Sequence, residues 1–158
     1  LHAFPAFTAS VCDLRPQSRG RIDIRSADPA TPPLIQPNYL SHADDCDEML
    51  RGLKLARRIF EADAFRPVNG GEVAPGVGVS SNEDLRAYIR RSAETIYHPV
   101  GSCKMGRDGM AVVDDQLRVH GLSGLRVADA SIMPTIIGGN TNAPCMVIGE
   151  KCARAILR

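Results

Sequence analysis

Apolar and polar residues alternate most cleanly over Arg21-Ile22-Asp23-Ile24-Arg25, which predicts a strand with one buried face. Phe7–Leu14 reads as an earlier strand, joined to it through Arg15–Gly20 as a hairpin or wider turn. After the proline-rich stretch Ala27–Pro33, Leu34-Ile35-Gln36 offers another short strand. The period then changes from two to 3.6. Ser41-His42-Ala43-Asp44 has the form of a capping box, and Cys46, Met49, Leu50, Leu53, Ala56 and Phe60 follow as one helical stripe. Arg66–Ser80 holds two prolines and four glycines and reads as a loop. Ser81–Asp84 starts a second helix, with Leu85, Tyr88, Ile89 and Ser92 on one face. Ile96–Gly106 is expected to be extended, and Val112–Asp114, Leu117–Val119 and Leu125–Ala128 to be three short strands. A final helix over Thr141–Leu157 is apolar almost all round in its first half, which predicts deep packing.

Composition narrows the function classes. With 158 residues, 44% of them hydrophobic, the chain can bury a core for one or two small units. A net charge of +1 with scattered basic residues disfavours a nucleic-acid partner. No apolar run approaches the roughly 18 residues of a membrane span. The five cysteines, Cys12, Cys46, Cys103, Cys145 and Cys152, form an odd and irregular set without a Cys-x-x-Cys. The histidines do not flank them at metal-ligand spacing, so no metal site is expected. Reduced, buried thiols and a reducing, cytoplasmic compartment fit this usage.

A few residues carry chemistry. Pro99 disfavours helical geometry at His98, so the imidazole should project from extended backbone. Histidine is the side chain best suited to take a proton near neutral pH, although a lone histidine beside a strand is more often a core or surface imidazole. Asn140, after Gly138-Gly139, sits where a helix cap belongs. The free N–H groups and positive dipole end of a helix converge there, and Pro144 suits the first turn. Asp129 ends an apolar run before Ala130-Ser131, as a turn-capping aspartate would. A Cys103/His98 nucleophile pair is disfavoured, because five residues of extended strand separate the groups by roughly 16 Å.

Tyr97-His98-Pro99-Val100-Gly101-Ser102-Cys103-Lys104-Met105-Gly106, Val127–Thr135 and Gly139-Asn140-Thr141-Asn142-Ala143-Pro144 occur in this order. Together they resemble the C-terminal signature of the glucose–methanol–choline (GMC) family of flavin oxidoreductases. Leu14–Gly20 and Ile35-Gln36-Pro37-Asn38-Tyr39-Leu40 resemble its choline-dehydrogenase-like branch in particular. The resemblance implies an α+β fold: an antiparallel sheet with flanking helices, the substrate lobe, over residues 1–111. A C-terminal strand–helix segment over residues 112–158 would complete a FAD-binding lobe missing here.

It also implies roles. His98 would be the general base above the flavin, and Asn140 the second active-site residue, bonding the substrate oxygen or the reduced flavin. Asp129 and Ala130 would contact the ribityl and pyrophosphate. Asn140 and the backbone N–H groups of Thr141 and Asn142 would meet the flavin's electron-rich edge. The implied reaction is hydride transfer from a primary alcohol, choline among the candidates, to FAD.

The Gly-x-Gly-x-x-Gly turn of a Rossmann half has no counterpart: Gly76-Val77-Gly78 is followed by Ser81 in place of the third glycine, with no strand before it. The chain, which begins at Leu1, is therefore expected to be a C-terminal fragment, inactive and free of FAD on its own. Its partners would be the N-terminal Rossmann half of the same parent and an alcohol substrate, with self-association through an exposed apolar face. The alternative reading is a non-catalytic substrate-binding or assembly module.

Overall fold

A computed structural model describes residues 3–157. The fold is α+β, with three α-helices and one two-stranded antiparallel sheet among the described residues. The chain divides into two compact units. One comprises the residues up to Gly20 with Pro37–Glu94; the other comprises Arg21–Gln36 with the chain from Thr95 onward.

The first unit is built on α1 (Ala43–Phe60) and α2 (Asn82–Ser92). Leu50, Leu85 and Ile89 are buried between them, with Leu40, Met49, Leu53 and Val79 packed around. These are the apolar stripes read from the sequence. Both helices carry acidic first turns and basic last turns, matching the helix dipole. Ser81 caps α2 as expected, its Oγ accepting from the Asp84 N–H at 3.0 Å.

The start of α1 differs from the expected capping box. His42, not Ser41, is the cap, with Nδ1 accepting from the Asp44 N–H at 3.3 Å. The reciprocal bond to the cap's own N–H comes from a distant residue, Ser18, whose Oγ accepts it at 3.0 Å. Asp45, buried in the first turn, accepts from the N–H groups of Gln17 (2.7 Å) and Ser18 (2.9 Å) and from the Ser18 hydroxyl. Burial opposes ionisation here. The bonds from Ser18 and Gln17 outweigh it and hold the Asp45 carboxyl below the ordinary aspartate range.

Phe7–Leu14 is not a strand. It lies along α1 without regular structure, so close that a Cβ at Gly52 would fall inside the Val11 side chain. Phe7 joins Phe60 and Phe65 in an aromatic cluster with centroids 5.2–6.4 Å apart. Its apolar residues thus pack on a helix and need no ladder. The loop 66–80 is a loop as predicted. Arg57 pins it by donating to Glu72 (3.1 Å) and to the carbonyls of Gly76 (3.3 Å) and Val79 (2.9 Å).

In the second unit, β1 (Arg21–Asp23) pairs with β2 (Leu34–Gln36), with Ile22 opposite Ile35. The hairpin is therefore closed across 24–33, not across Arg15–Gly20. The three short strands expected between Val112 and Ala128 appear only as single bridges, Met105–Val113, Val113–Val119 and Arg118–Arg126. Turns interrupt each run too soon for a ladder. The Asp114 carboxylate takes the N–H groups of Gln116 and Arg118 (both 2.9 Å), and Leu117, Gly121 and Gly124 adopt positive φ. The core here is Val113, Leu117, Ile132 and Cys152, with Met105, Val127 and Ile148 against it.

α3 (Asn142–Ile156) enters this core chiefly through Cys152 and Ile148. The expected deep packing does not occur. Met146 and Val147 are more than half exposed, because the chain supplies partners for only one side of the helix. An open apolar face was expected, and this is one. Among the described residues, no helix is long and apolar enough to cross a membrane, and no cluster of potential ligands could hold a metal ion. All five thiols are unpaired; Cys12 is exposed, contrary to the expectation of buried cysteines.

Candidate active site

The second unit gathers the sequence motifs through backbone hydrogen bonds. Past His98 the chain does not stay extended. Gly101, at φ 88°, opens a turn closed by the Lys104 N–H on the Gly101 carbonyl at 3.2 Å. A Cβ at Gly101 would approach the Met133 carbonyl closely, at 3.3 Å, and the positive φ itself favours glycine. The extended geometry behind the roughly 16 Å Cys103–His98 separation thus fails at this turn. Even so, no hydrogen bond links the two side chains, and the Cys103 N–H is engaged with the Ser131 carbonyl at 3.0 Å. The Met105 N–H bonds the Ile132 carbonyl at 2.7 Å. The histidine-bearing segment is strapped in this way to the short 3-10 turn Ala130–Ile132.

His98 is half-buried, and its Nδ1 lies 2.9 Å from the hydroxyl of Thr141. Tyr97, immediately before it, holds φ at 62°, an uncommon region for a bulky residue, and its N–H donates to the Thr95 hydroxyl at 3.0 Å. Nε2 has no partner among the described residues, so the ring offers one engaged and one open nitrogen.

Thr141 is buried and is the residue from which α3 starts. Its carbonyl receives the Cys145 N–H at 3.0 Å, but its hydroxyl makes no capping bond. The N–H groups of Thr141, Asn142 and Ala143 have no hydrogen bond among the described residues. The cap expected at Asn140 falls one residue later. Asn140 is exposed, and its side-chain amide has no hydrogen bond among the described residues. This helix start therefore presents free donors and the positive dipole end together, beside His98.

Asp129 caps the turn that follows it, its Oδ1 accepting from the Ser131 N–H at 2.8 Å. Hydrogen bonding from Ser131, side chain first and then backbone, holds its carboxyl below the usual range against a smaller desolvation effect. The turn-capping role read from the sequence is present, and Asp129 is an exposed residue. The Ala130 N–H is unpaired among the described residues. Sequence reasoning missed the contact of the Thr141 side chain with His98. A threonine at a helix start reads as a cap, and only its failure to cap frees it for another partner.

The GMC oxidoreductase family model matches residues 16–149, most of the chain. The chain belongs to the GMC oxidoreductase family. An alcohol dehydrogenase [acceptor] of Pseudomonas putida is 50% identical over 152 residues, which are 96% of this chain and 28% of that protein. An oxygen-dependent choline dehydrogenase of Pseudomonas savastanoi pv. phaseolicola is 51% identical over 95% of this chain and 26% of its own length. Among solved structures, pyridoxine 4-oxidase from Mesorbium loti superposes with a TM-score of 0.84 at 36% identity, covering 89% of this chain and 28% of that one. A FAD-dependent oxidoreductase from Chaetomium thermophilum gives 0.85 at 30% identity, over 90% of this chain and 25% of that one. The chain thus spans less than a third of the length of the GMC proteins it matches.

Proposed function

We propose that this chain carries the catalytic residues of a FAD-dependent GMC oxidoreductase that oxidises a primary alcohol to an aldehyde, with His98 as general base. The observation that carries the reading is the half-buried imidazole held at Nδ1 by Thr141, at a start of α3 whose first N–H groups have no partner among the described residues and which directly follows the exposed Asn140. The names of the P. putida and P. savastanoi relatives support an alcohol, choline or a related one, as substrate.

The residues fit FAD. Unpaired N–H groups at Thr141, Asn142 and Ala143, on the positive end of a helix, suit the electron-rich edge of a flavin. The exposed carboxylate of Asp129 suits a ribityl hydroxyl, and the Ala130 N–H, unpaired among the described residues, a phosphate oxygen. When bound, FAD supplies the acceptor for the hydride. In this reading Nε2 of His98 takes the hydroxyl proton as the alcohol's C–H bond yields its hydride, leaving a C=O double bond. The Asn140 amide donates to the substrate oxygen as its charge grows. Residues 1–111 form the substrate lobe, and residues 112–158 return to a FAD-binding lobe whose Rossmann half lies elsewhere in a longer parent chain.

The test is His98→Ala in the full-length enzyme. FAD should stay bound while anaerobic flavin reduction by substrate slows by about 10²-fold or more, as for a lost general base. Raising the pH should recover part of the rate, since an alkoxide needs no base. An unchanged reduction rate at neutral pH would make His98 structural and end this reading.

A further inference from the structure

The hydroxyl of Thr141 is the recorded partner of the His98 ring, at 2.9 Å from Nδ1. A threonine hydroxyl can donate or accept, and a neutral imidazole carries its proton on one nitrogen or the other. The partner at Nδ1 therefore sets what Nε2 can do. We infer that Thr141 is a positioning residue that accepts a hydrogen bond from Nδ1–H of His98 and so keeps the lone pair on Nε2. The inference rests on the proposed role of His98 as base.

Two further observations favour it. At the start of a helix, a threonine oxygen ordinarily accepts from an N–H of the first turn. Here the residue is buried and in the cap position, yet its helical backbone (φ −81°, ψ −9°) goes with no such bond, which leaves the oxygen available to accept from the ring. Accepting is also the one arrangement that survives the reaction. Nδ1 bears a proton both in this neutral tautomer and in the imidazolium, so taking a proton at Nε2 leaves the Thr141 bond intact. Were Thr141 the donor, the resting proton would sit on Nε2, and that nitrogen could not act as base. The anchor is firm at both ends: the Thr141 carbonyl is tied into α3 by Cys145, and the His98 segment is strapped to the 130–132 turn. A consequence follows for the helix start, where the N–H groups of Asn142 and Ala143 stay free of the Thr141 side chain.

The test uses the full-length enzyme with 15N-labelled histidine, the His98 signals being those that His98→Asn removes. Wild type should show a protonated Nδ1 and an unprotonated Nε2 at neutral pH. Thr141→Val, which removes only the hydroxyl's chemistry, should shift His98 toward the Nε2–H form. Flavin reduction should slow by about tenfold or more, in line with the 10- to 100-fold value of partners that orient a metal-bound imidazole. Thr141→Ser should restore both. A wild-type signal with the proton on Nε2 overturns the inference, as does a Thr141→Val tautomer identical to wild type. If Thr141→Val fails to hold flavin, the wild-type tautomer alone decides. Failure of the underlying reading looks different: His98→Asn would then reduce flavin at the wild-type rate whatever Thr141 does.

Discussion

Asp45 joins the segment before β1 to the first turn of α1, and replacing it with asparagine should expose how much that junction contributes. The carboxylate is 3% exposed and accepts from two backbone N–H groups and one hydroxyl. Asparagine keeps one acceptor oxygen and turns an NH2 toward a donor. At least one N–H of Gln17 or Ser18 then loses its partner in a part-buried contact, at about 1–3 kcal/mol. Losing a negative charge at a helix start adds about 0.3–1 kcal/mol. Asp45→Asn should therefore destabilise by about 1.3–4 kcal/mol in urea unfolding followed by circular dichroism. The pH dependence is the sharper assay. The folded-state pKa of Asp45 lies below its unfolded value, so the unfolded chain binds the extra proton in acid and stability falls as pH drops. Its contribution should be complete well above the ordinary aspartate value of about 3.9 and fade below it. The wild-type and Asp45→Asn stability curves should thus converge in acid and separate toward neutrality. Parallel curves from pH 3 to pH 7 would refute the argument, because the carboxylate would then not be selectively stabilised in the fold.

Two other outcomes are expected. Asn140→Asp should leave the melting temperature of the full-length enzyme unchanged, since Asn140 is exposed and does not cap α3, yet slow flavin reduction by placing a charge near the developing alkoxide; an unchanged rate in stopped flow would remove Asn140 from the site. The purified 158-residue chain should carry no stoichiometric FAD and should self-associate through the exposed side of α3 around Met146 and Val147, so a flavin absorbance near one equivalent, or a monomer by sedimentation at high concentration, would contradict these expectations.

The helices were legible because their signals are local. Ser81 and Asp84 lie within one turn of each other, and the stripes Cys46–Phe60 and Leu85–Ile89 repeat at helical spacing whatever they pack against. The strands were less so, because alternation says only that one side is apolar. Phe7–Leu14 has that pattern, but its partner is the face of α1 opened by Gly52. Between Val112 and Ala128 the apolar runs are real and reach the core through Val113 and Leu117. Each is only a few residues long before Asp114 or a positive-φ residue turns the chain, so a ladder cannot grow. At α1 the pattern was right and the residues wrong: the bond that completes the cap comes from Ser18, 24 residues upstream of His42.

The same division between local and distant signals explains what could be read of the candidate site. His98, Asp129 and Asn140 each sit in a contiguous motif, and a contiguous motif can be recognised without knowing how it folds. What joins the motifs is not contiguous. The Thr141 hydroxyl meets His98 across 43 residues, and the 130–132 turn holds the histidine segment by backbone groups, which carry no mark of residue type. A base needs a proton acceptor at the right place and an orienting bond that fixes which nitrogen accepts. The first requirement selects a residue type and leaves a trace in the sequence. The second selects any hydroxyl, carbonyl or carboxylate that reaches the ring, so it appears only once the start of α3 is folded against His98.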